Sequence, residues 1–335
     1  MNRIIVKGTN WIGDVCLSLP AVYALRNLYP DAVIDIALKR PLGGVLAGLT
    51  AVDGVIEYSP DLRGERELVS RLRRDRYDLG VIFPRSLHAA ALLFFARTRR
   101  RLGYTADLRS PLLTDRVART NEIRSKHQSE YYRHLVSTLG DPGETVIPRL
   151  PVSDEEREEA RALLHKWGWR GGRLIGVNPG AAYGDAKRWY ADRFAQTADI
   201  LTEELDAQAI VFGGPSEVDV ACEVARYMGR EPVSAAGRTT IRQLMALIEA
   251  TDLFITNDTG PMHLAAALDV PLVAVFGSTN PITTSPMARA GRFALVRHEV
   301  ECSPCLERSC PLNHHRCMDL VEVNDVVEAA LPLVR

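Results

Sequence analysis

Residues 254–268 read Phe-Ile-Thr-Asn-Asp-Thr-Gly-Pro-Met-His-Leu-Ala-Ala-Ala-Leu, and residues 270–278 follow as Val-Pro-Leu-Val-Ala-Val-Phe-Gly-Ser. The apolar run at 253–256 is expected to be a buried strand, and 272–276 a second one. Between them a turn of small and polar residues opens a helix at Thr259, Gly260 and Pro261. Proline suits the first helical turn, where its missing N–H costs nothing, and Thr259 is a candidate cap. The amides of such a turn, with the positive end of the helix dipole behind them, suit a phosphate or pyrophosphate. A plain strand-to-helix turn with His263 packed behind it is the alternative reading of the same residues.

Working outward, strand-length apolar runs alternate with helical segments along the whole chain. They fall at 4–6, 33–38, 55–58 and 79–83, then at 174–177, 209–212, 253–256 and 272–276. Strands alternating with helices imply parallel sheets covered on both faces. The stretch 140–152 contains Pro142, Gly143, Pro148 and Pro151 and is the expected joint, with a Glu-rich helix after it from about Asp154 to Trp167. Two doubly wound α/β domains, 1–150 and 151–335, are therefore expected to face a cleft at the carboxyl ends of their strands.

Composition supports a globular enzyme. At 335 residues, 46% apolar and 25% charged, the chain is long enough for two cores. Its longest apolar run, residues 89–96, is far short of the roughly 20 residues that span a bilayer, and the N-terminus lacks a signal-peptide core. A cytoplasmic location is the expectation. The net charge of −1 conceals a division: residues 1–150 carry 23 Lys and Arg against 16 Asp and Glu, residues 151–335 carry 18 against 26. A basic first half should face an anionic partner. Its clusters, Arg71/Arg73/Arg74/Arg76 and Arg97/Arg99/Arg100/Arg101, lack interleaved aromatics, so a phosphorylated or carboxylated ligand or a membrane surface is expected rather than nucleic acid. For any single arginine, a solvated surface explains the charge equally well.

Each half contributes a candidate loop after its first strand. In the first half it is residues 8–15, Gly-Thr-Asn-Trp-Ile-Gly-Asp-Val, leading into a helix expected from near Cys16 to Tyr29. Neither G-x-G-x-x-G nor G-x-x-x-x-G-K-[ST] occurs, which weakens dehydrogenase and NTPase readings. Asp14 is open to two readings, helix N-cap or general base. In the second half, residues 178–189 form a Gly-rich loop ending in Lys187-Arg188-Trp189, with amides and a cationic pair for an anion. Glu217, after Phe212-Gly213-Gly214-Pro215-Ser216, stands where a ribose diol could bind.

Asn10-Trp11-Ile12-Gly13-Asp14, Pro179-Gly180-Ala181, Ala186-Lys187-Arg188-Trp189, Phe212-Gly213 and Asn257-Asp258-Thr259-Gly260-Pro261-Met262-His263 together resemble the ordered motif set of the family 9 glycosyltransferases. The resemblance runs from residue 3 to about residue 280. It implies a GT-B architecture, with the acceptor on the N-terminal domain and an ADP-sugar on the C-terminal one. Asp14 then matches the catalytic base and Lys187 the lysine that neutralises pyrophosphate. Donor contacts would come from Gly180, Arg188, Gly213, Glu217 (ribose), Thr239 or Thr240 (adenine), Asp258, Thr259, Gly260 and His263. Acceptor contacts would come from Asn10, Trp11 and Gly13. Trp11 and residues 186–189 are more similar to the enzymes that add the second heptose than to those adding the first. The implied reaction moves a heptosyl group from ADP-heptose to the inner core of lipopolysaccharide, at the cytoplasmic face of the inner membrane.

That chemistry needs a base for the acceptor hydroxyl and a cradle for the departing diphosphate. One carboxylate without a covalent sugar intermediate implies inversion. No D-x-D occurs, so no catalytic metal is expected, and Lys187, Arg188 and the helix at Thr259 would supply the charge. A transferase for another acceptor position or sugar, a GT-B-shaped nucleotide-sugar epimerase and a non-catalytic binding module are the competing readings. Asp14 and Lys187 argue against the last.

Cys302, Cys305, Cys310 and Cys317, with His314 and His315 among them, are spaced C-x2-C-x4-C-x6-C. A structural zinc, an iron–sulfur cluster and four reduced thiols all fit this spacing. The group is expected to lie away from the chemistry, before a terminal helix (about Asn324 to Leu333) that could pack back on the first domain. Cys16 and Cys222 are expected to be core residues.

Overall fold

A computed structural model describes residues 1–334 and divides the chain into two compact units, Met1–Pro151 and Val152–Arg335. Each unit has a six-stranded sheet. The first contains β1 (Arg3–Lys7), β2 (Val33–Lys39), β3 (Gly54–Tyr58), β4 (Leu79–Ile82), β5 (Arg100–Tyr104) and β6 (Asp115–Val117). The second contains β7 (Arg173–Asn178), β8 (Ala207–Val211), β9 (Val233–Ser234), β10 (Leu253–Asn257), β11 (Leu272–Val275) and β12 (Phe293–Val296). Every pairing is parallel.

The strand orders are β3-β2-β1-β4-β5-β6 and β12-β11-β10-β7-β8-β9. Counted from each unit's own first strand, both are the doubly wound order 3-2-1-4-5-6. The order reverses between β1 and β4 in one unit and between β7 and β10 in the other. These four are almost wholly buried, as strands covered on both faces must be.

The eight expected strands are all present. β5, β6, β9 and β12 were not expected, because Arg100 and Arg101 disguise β5 and the other three are two to four half-exposed residues at or near a sheet edge. The helix Asp154–Lys166 begins at Ser153, which forms a capping box with Glu156. The terminal helix, Val323–Val334, seats Val326, Val327 and Ala330 in the core of the second unit, together with Trp189 and Phe194.

Candidate functional site

In open parallel sheets, ligands bind beyond the carboxyl ends of the strands where the order reverses, because the two neighbouring loops turn to opposite faces and leave a crevice. In each unit the motif loops lie at this point.

In the first unit, β1 runs into Gly8–Asn10 and a helix spans Ile12–Leu28. That helix starts four residues earlier than expected, with Trp11 at the N-cap position. Asp14 is therefore inside the first turn, and the capping reading is corrected. A carboxylate there is favoured by the helix dipole, whatever its further role. The Tyr132 hydroxyl donates to Asp14 Oδ1 at 3.3 Å. Burial, reinforced by Asp14, holds the Tyr132 phenol well above its ordinary pKa, so it remains a proton donor.

Asn10, Trp11 and Asp14 line a cavity of about 320 Å³ with Arg85, Arg119 and Arg124. Gly13 lies next to Asp14 in the same helical turn, and the Trp11 indole is half exposed at the rim. The Arg119 guanidinium sits 5.8 Å from the centre of the Tyr131 ring. These three arginines were missed in the sequence because they are scattered singly. The two clusters that did stand out are largely surface ion pairs: Arg71 and Arg74 to Asp75, Arg99 to Asp78, Arg100 to Asp115. For these four paired arginines the solvated reading is the better one. Cys16 is buried, and its thiol is pushed up to about 12 by desolvation, so it is chemically quiet. Cys222, expected in the core, is exposed on the helix Val218–Tyr227.

In the second unit, Lys187 reaches across from the β7 loop to the β10 loop. Its Nζ lies 2.8 Å from Asp258 Oδ2 and 3.3 Å from the Asp258 carbonyl oxygen. Thr279 also donates to Asp258 Oδ2, at 2.6 Å. Asn257 ties the same two loops together: its amide donates to the carbonyls of Pro179 and Gly180, and its oxygen accepts the Trp189 N–H at 3.0 Å. The side chain is fully buried, so losing any of these bonds would leave a desolvated polar group, at about 1–3 kcal/mol. Asn257 is thus a framing residue that the motif contained without revealing its role.

Thr259 occupies the N-cap position of the helix Gly260–Ala267, as expected, but its hydroxyl is engaged with Asn178 and Thr256 rather than with the helix. The first-turn amides are not capped by it. Lys187 Nζ, held on Asp258 immediately before this helix, lies close to them. His263 is buried within this helix.

Glu217 lies in the turn Pro215–Glu217 after β8, and accepts the Gly214 N–H at 2.9 Å. A Cβ on Gly180 would stand 2.3 Å from the Glu217 carboxylate, so the loops after β7 and β8 touch here because Gly180 has no side chain. Gly213 lies beside Glu217 as well. Thr240 is committed to a capping box with Gln243 on the helix Ile241–Glu249, which leaves Thr239 as the candidate for a base contact.

Proteins of known structure and function resemble the chain throughout. The model of glycosyltransferase family 9 (heptosyltransferase) matches residues 65–315. Lipopolysaccharide heptosyltransferase 2 of Salmonella typhimurium is 30% identical over 87% of each chain. Lipooligosaccharide heptosyltransferase 2 of Campylobacter jejuni is 27% identical, over 99% of this chain and 98% of its own. The structure of E. coli ADP-heptose LPS heptosyltransferase II superposes with a TM-score of 0.83 at 27% identity, covering 98% of this chain and 97% of that one. The two doubly wound units are those of the GT-B architecture, and the chain belongs to glycosyltransferase family 9, the heptosyltransferases.

Proposed function

We propose that this glycosyltransferase moves a heptosyl group, with inversion and without a catalytic metal, from ADP-L-glycero-β-D-manno-heptose to the inner core of lipopolysaccharide, adding the second heptose. The observation that carries the reading is one carboxylate, Asp14, set among Arg85, Arg119 and Arg124 in a cavity of about 320 Å³. The arginines suit an acidic, phosphorylated sugar acceptor. Asp14 takes the proton of the attacking hydroxyl, and Tyr132 fixes the carboxylate's orientation.

The donor reading rests on the second unit. Lys187, Arg188 and the amides at Gly260 balance the charge of the departing diphosphate, Glu217 takes the ribose hydroxyls, and Thr239 lies toward the base. Asp258, tied to Lys187 and Thr279, helps hold the loop that bears these amides. The names of the family relatives, which include lipopolysaccharide heptosyltransferase 2, support the same substrates.

Work on a lipid-linked acceptor calls for contact with the cytoplasmic face of the inner membrane. Among the described residues no helix is long and apolar enough to cross a membrane. Phe94 and Phe95 are exposed at the end of the helix Leu87–Phe95, beside Arg73 and Arg101. Aromatic rings amid guanidinium groups suit peripheral docking on anionic headgroups.

The test is to incubate the protein with ADP-heptose and inner-core acceptors carrying no, one or two heptoses, with and without EDTA. ADP release that requires the one-heptose acceptor and survives EDTA is expected. Release independent of acceptor, or activity on the heptose-free acceptor alone, would overturn the assignment.

A further inference from the structure

The cysteine segment lies against the donor loop and not away from it, contrary to the sequence expectation. The Ala186 N–H donates to the Arg308 carbonyl at 3.0 Å, and the Tyr183 hydroxyl to the Leu306 carbonyl at 2.9 Å. Gly184 is pressed so close to Arg308 that a Cβ there would meet its carbonyl oxygen at 2.2 Å. On its other side the segment is held by Ser303 to the Gly277 carbonyl and by the Leu306 N–H to the Ser278 carbonyl. The turn that delivers Lys187 therefore leans on residues 302–317.

All four cysteines of that segment line one cavity of about 20 Å³, and Ala186 forms part of its wall. A volume of roughly 10–15 Å³ holds one water-sized probe, so this space suits a single ion. The thiols are free. Cys317 is buried in the core, while Cys302, Cys305 and Cys310 are half-buried. The Cys310 sulfur accepts the His315 N–H at 3.4 Å, and the amides of residues 312–314 also turn toward it. Cys302 Sγ is 4.0 Å from His314 Nε2.

The backbone shows strain that a crosslink would offset. Leu306, next to Cys305, and Asn313 and His315, between Cys310 and Cys317, all have left-handed φ, at 62°, 54° and 47°. Such conformations are disfavoured for most non-glycine residues. At the present side-chain orientations no group of three or more His, Cys, Asp or Glu among the described residues is already set around a common centre.

We propose that Cys302, Cys305, Cys310 and Cys317 bind one thiophilic divalent ion, zinc(II) or iron(II), in a tetrahedral four-thiolate site that buttresses the Lys187 loop. Loading turns the three half-exposed thiols inward toward Cys317 and releases their protons. His314 flanks the site without ligating, and the His315 ring packs edge-on to Tyr190.

Elemental analysis of the full chain, produced without a histidine tag, distinguishes zinc from iron and is expected to give close to one ion per chain. Cobalt(II) exchange should give the visible absorption of a tetrahedral thiolate complex. Cys305→Ser and Cys310→Ser should lose most of the metal, whereas His314→Ala and Cys222→Ser should keep it. A measurement on the unmodified protein covers the case in which those serine variants do not fold: before chelation the exposed Cys222 should react with a thiol reagent and Cys302, Cys305 and Cys310 should not. Removing the ion should also speed hydrogen exchange at residues 181–188 severalfold. Acid-labile sulfide, loss of metal from His314→Ala, or metal-free protein whose segment thiols react freely even after incubation with zinc would each overturn the site. Unchanged exchange at 181–188 would overturn the buttressing role.

Discussion

The Lys187 ammonium and the Asp258 carboxylate meet at 2.8 Å, with side chains only 15% and 5% exposed. The cation proposed above to meet the diphosphate is thus held by a carboxylate that Thr279 also anchors. Lys187→Ala removes leaving-group stabilisation and strands a buried charge. Turnover is expected to fall by about 10²-fold, the scale of losing one preorganised electrostatic contact, and stability by about 3 kcal/mol. Steady-state kinetics and urea unfolding check both. The double variant Lys187→Ala/Asp258→Asn should regain stability without regaining turnover; recovery of turnover would show that Lys187 serves only the ion pair.

Asp14 is expected to govern the chemical step. Asp14→Asn keeps an oxygen for Tyr132 but cannot accept the acceptor proton, so turnover should fall by roughly 10²–10⁴ while ADP-heptose binding is unchanged. Calorimetric donor affinity and rapid-quench kinetics separate the two effects. A rate within about threefold of the parent would remove Asp14 from the role of base.

How far the sequence discloses this molecule depends on the kind of residue. Runs such as 253–256 and 272–276 are buried on both faces of a sheet, so hydrophobicity alone betrays them. Strands near the edge, such as β12, lack a second covered face, and β5 opens with two arginines. At the site, Asp14 and Lys187 stand in compact motifs, whereas Arg85, Arg119 and Arg124 come from separate segments and meet only through the fold. Asn257 was visible as a motif letter, but its work in joining Pro179, Gly180 and Trp189 depends on β7 and β10 being neighbours. The helix start at Ile12 was missed because Trp11 is a poor cap by type.

Gly180 and Glu217 provide a test of the proposed donor site that leaves Asp14 and Lys187 intact. A methyl group at Gly180 would overlap the Glu217 carboxylate at 2.3 Å and force it aside. One charged hydrogen bond is worth about 1.5–3 kcal/mol. Gly180→Ala should therefore raise KM for the ADP-sugar by about tenfold or more while kcat changes little. A Glu217→Gln variant should show the same pattern in milder form. An equal fall in kcat for both would place Glu217 in the transition state instead.

Arg85 and Arg119 should act on the acceptor alone. Either substitution to alanine is expected to raise acceptor KM by roughly 10-fold, with the donor KM unchanged. Because the parent's affinity relies on several charges, its acceptor KM should climb with ionic strength more steeply than that of the Arg85→Ala/Arg119→Ala double variant. Identical salt dependence in the two proteins would mean that the arginines do not meet the acceptor's charge.

Lys7 ends β1 immediately before the Asp14 loop, 2% exposed, with its amine donating to the Gly8 carbonyl at 2.7 Å and lying 5.4 Å from the Tyr58 ring centre. Burial above all, helped by Lys39, lowers its pKa from 10.5 to about 7. Below pH 7 both the folded and unfolded chains carry the proton. Between about pH 7 and 10.5 the unfolded chain holds it and the folded chain does not, so this residue's contribution to stability rises with pH through that window. The shift corresponds to a penalty on the order of 5 kcal/mol at pH 6 that vanishes near pH 10.5. Relative to Lys7→Met, which has no such titration, the parent should gain stability steadily from pH 7 to pH 10. Urea unfolding of both proteins at pH 6, 7, 8, 9 and 10 measures this directly, and stability curves that stay parallel across the series would show that Lys7 keeps its proton in the folded chain.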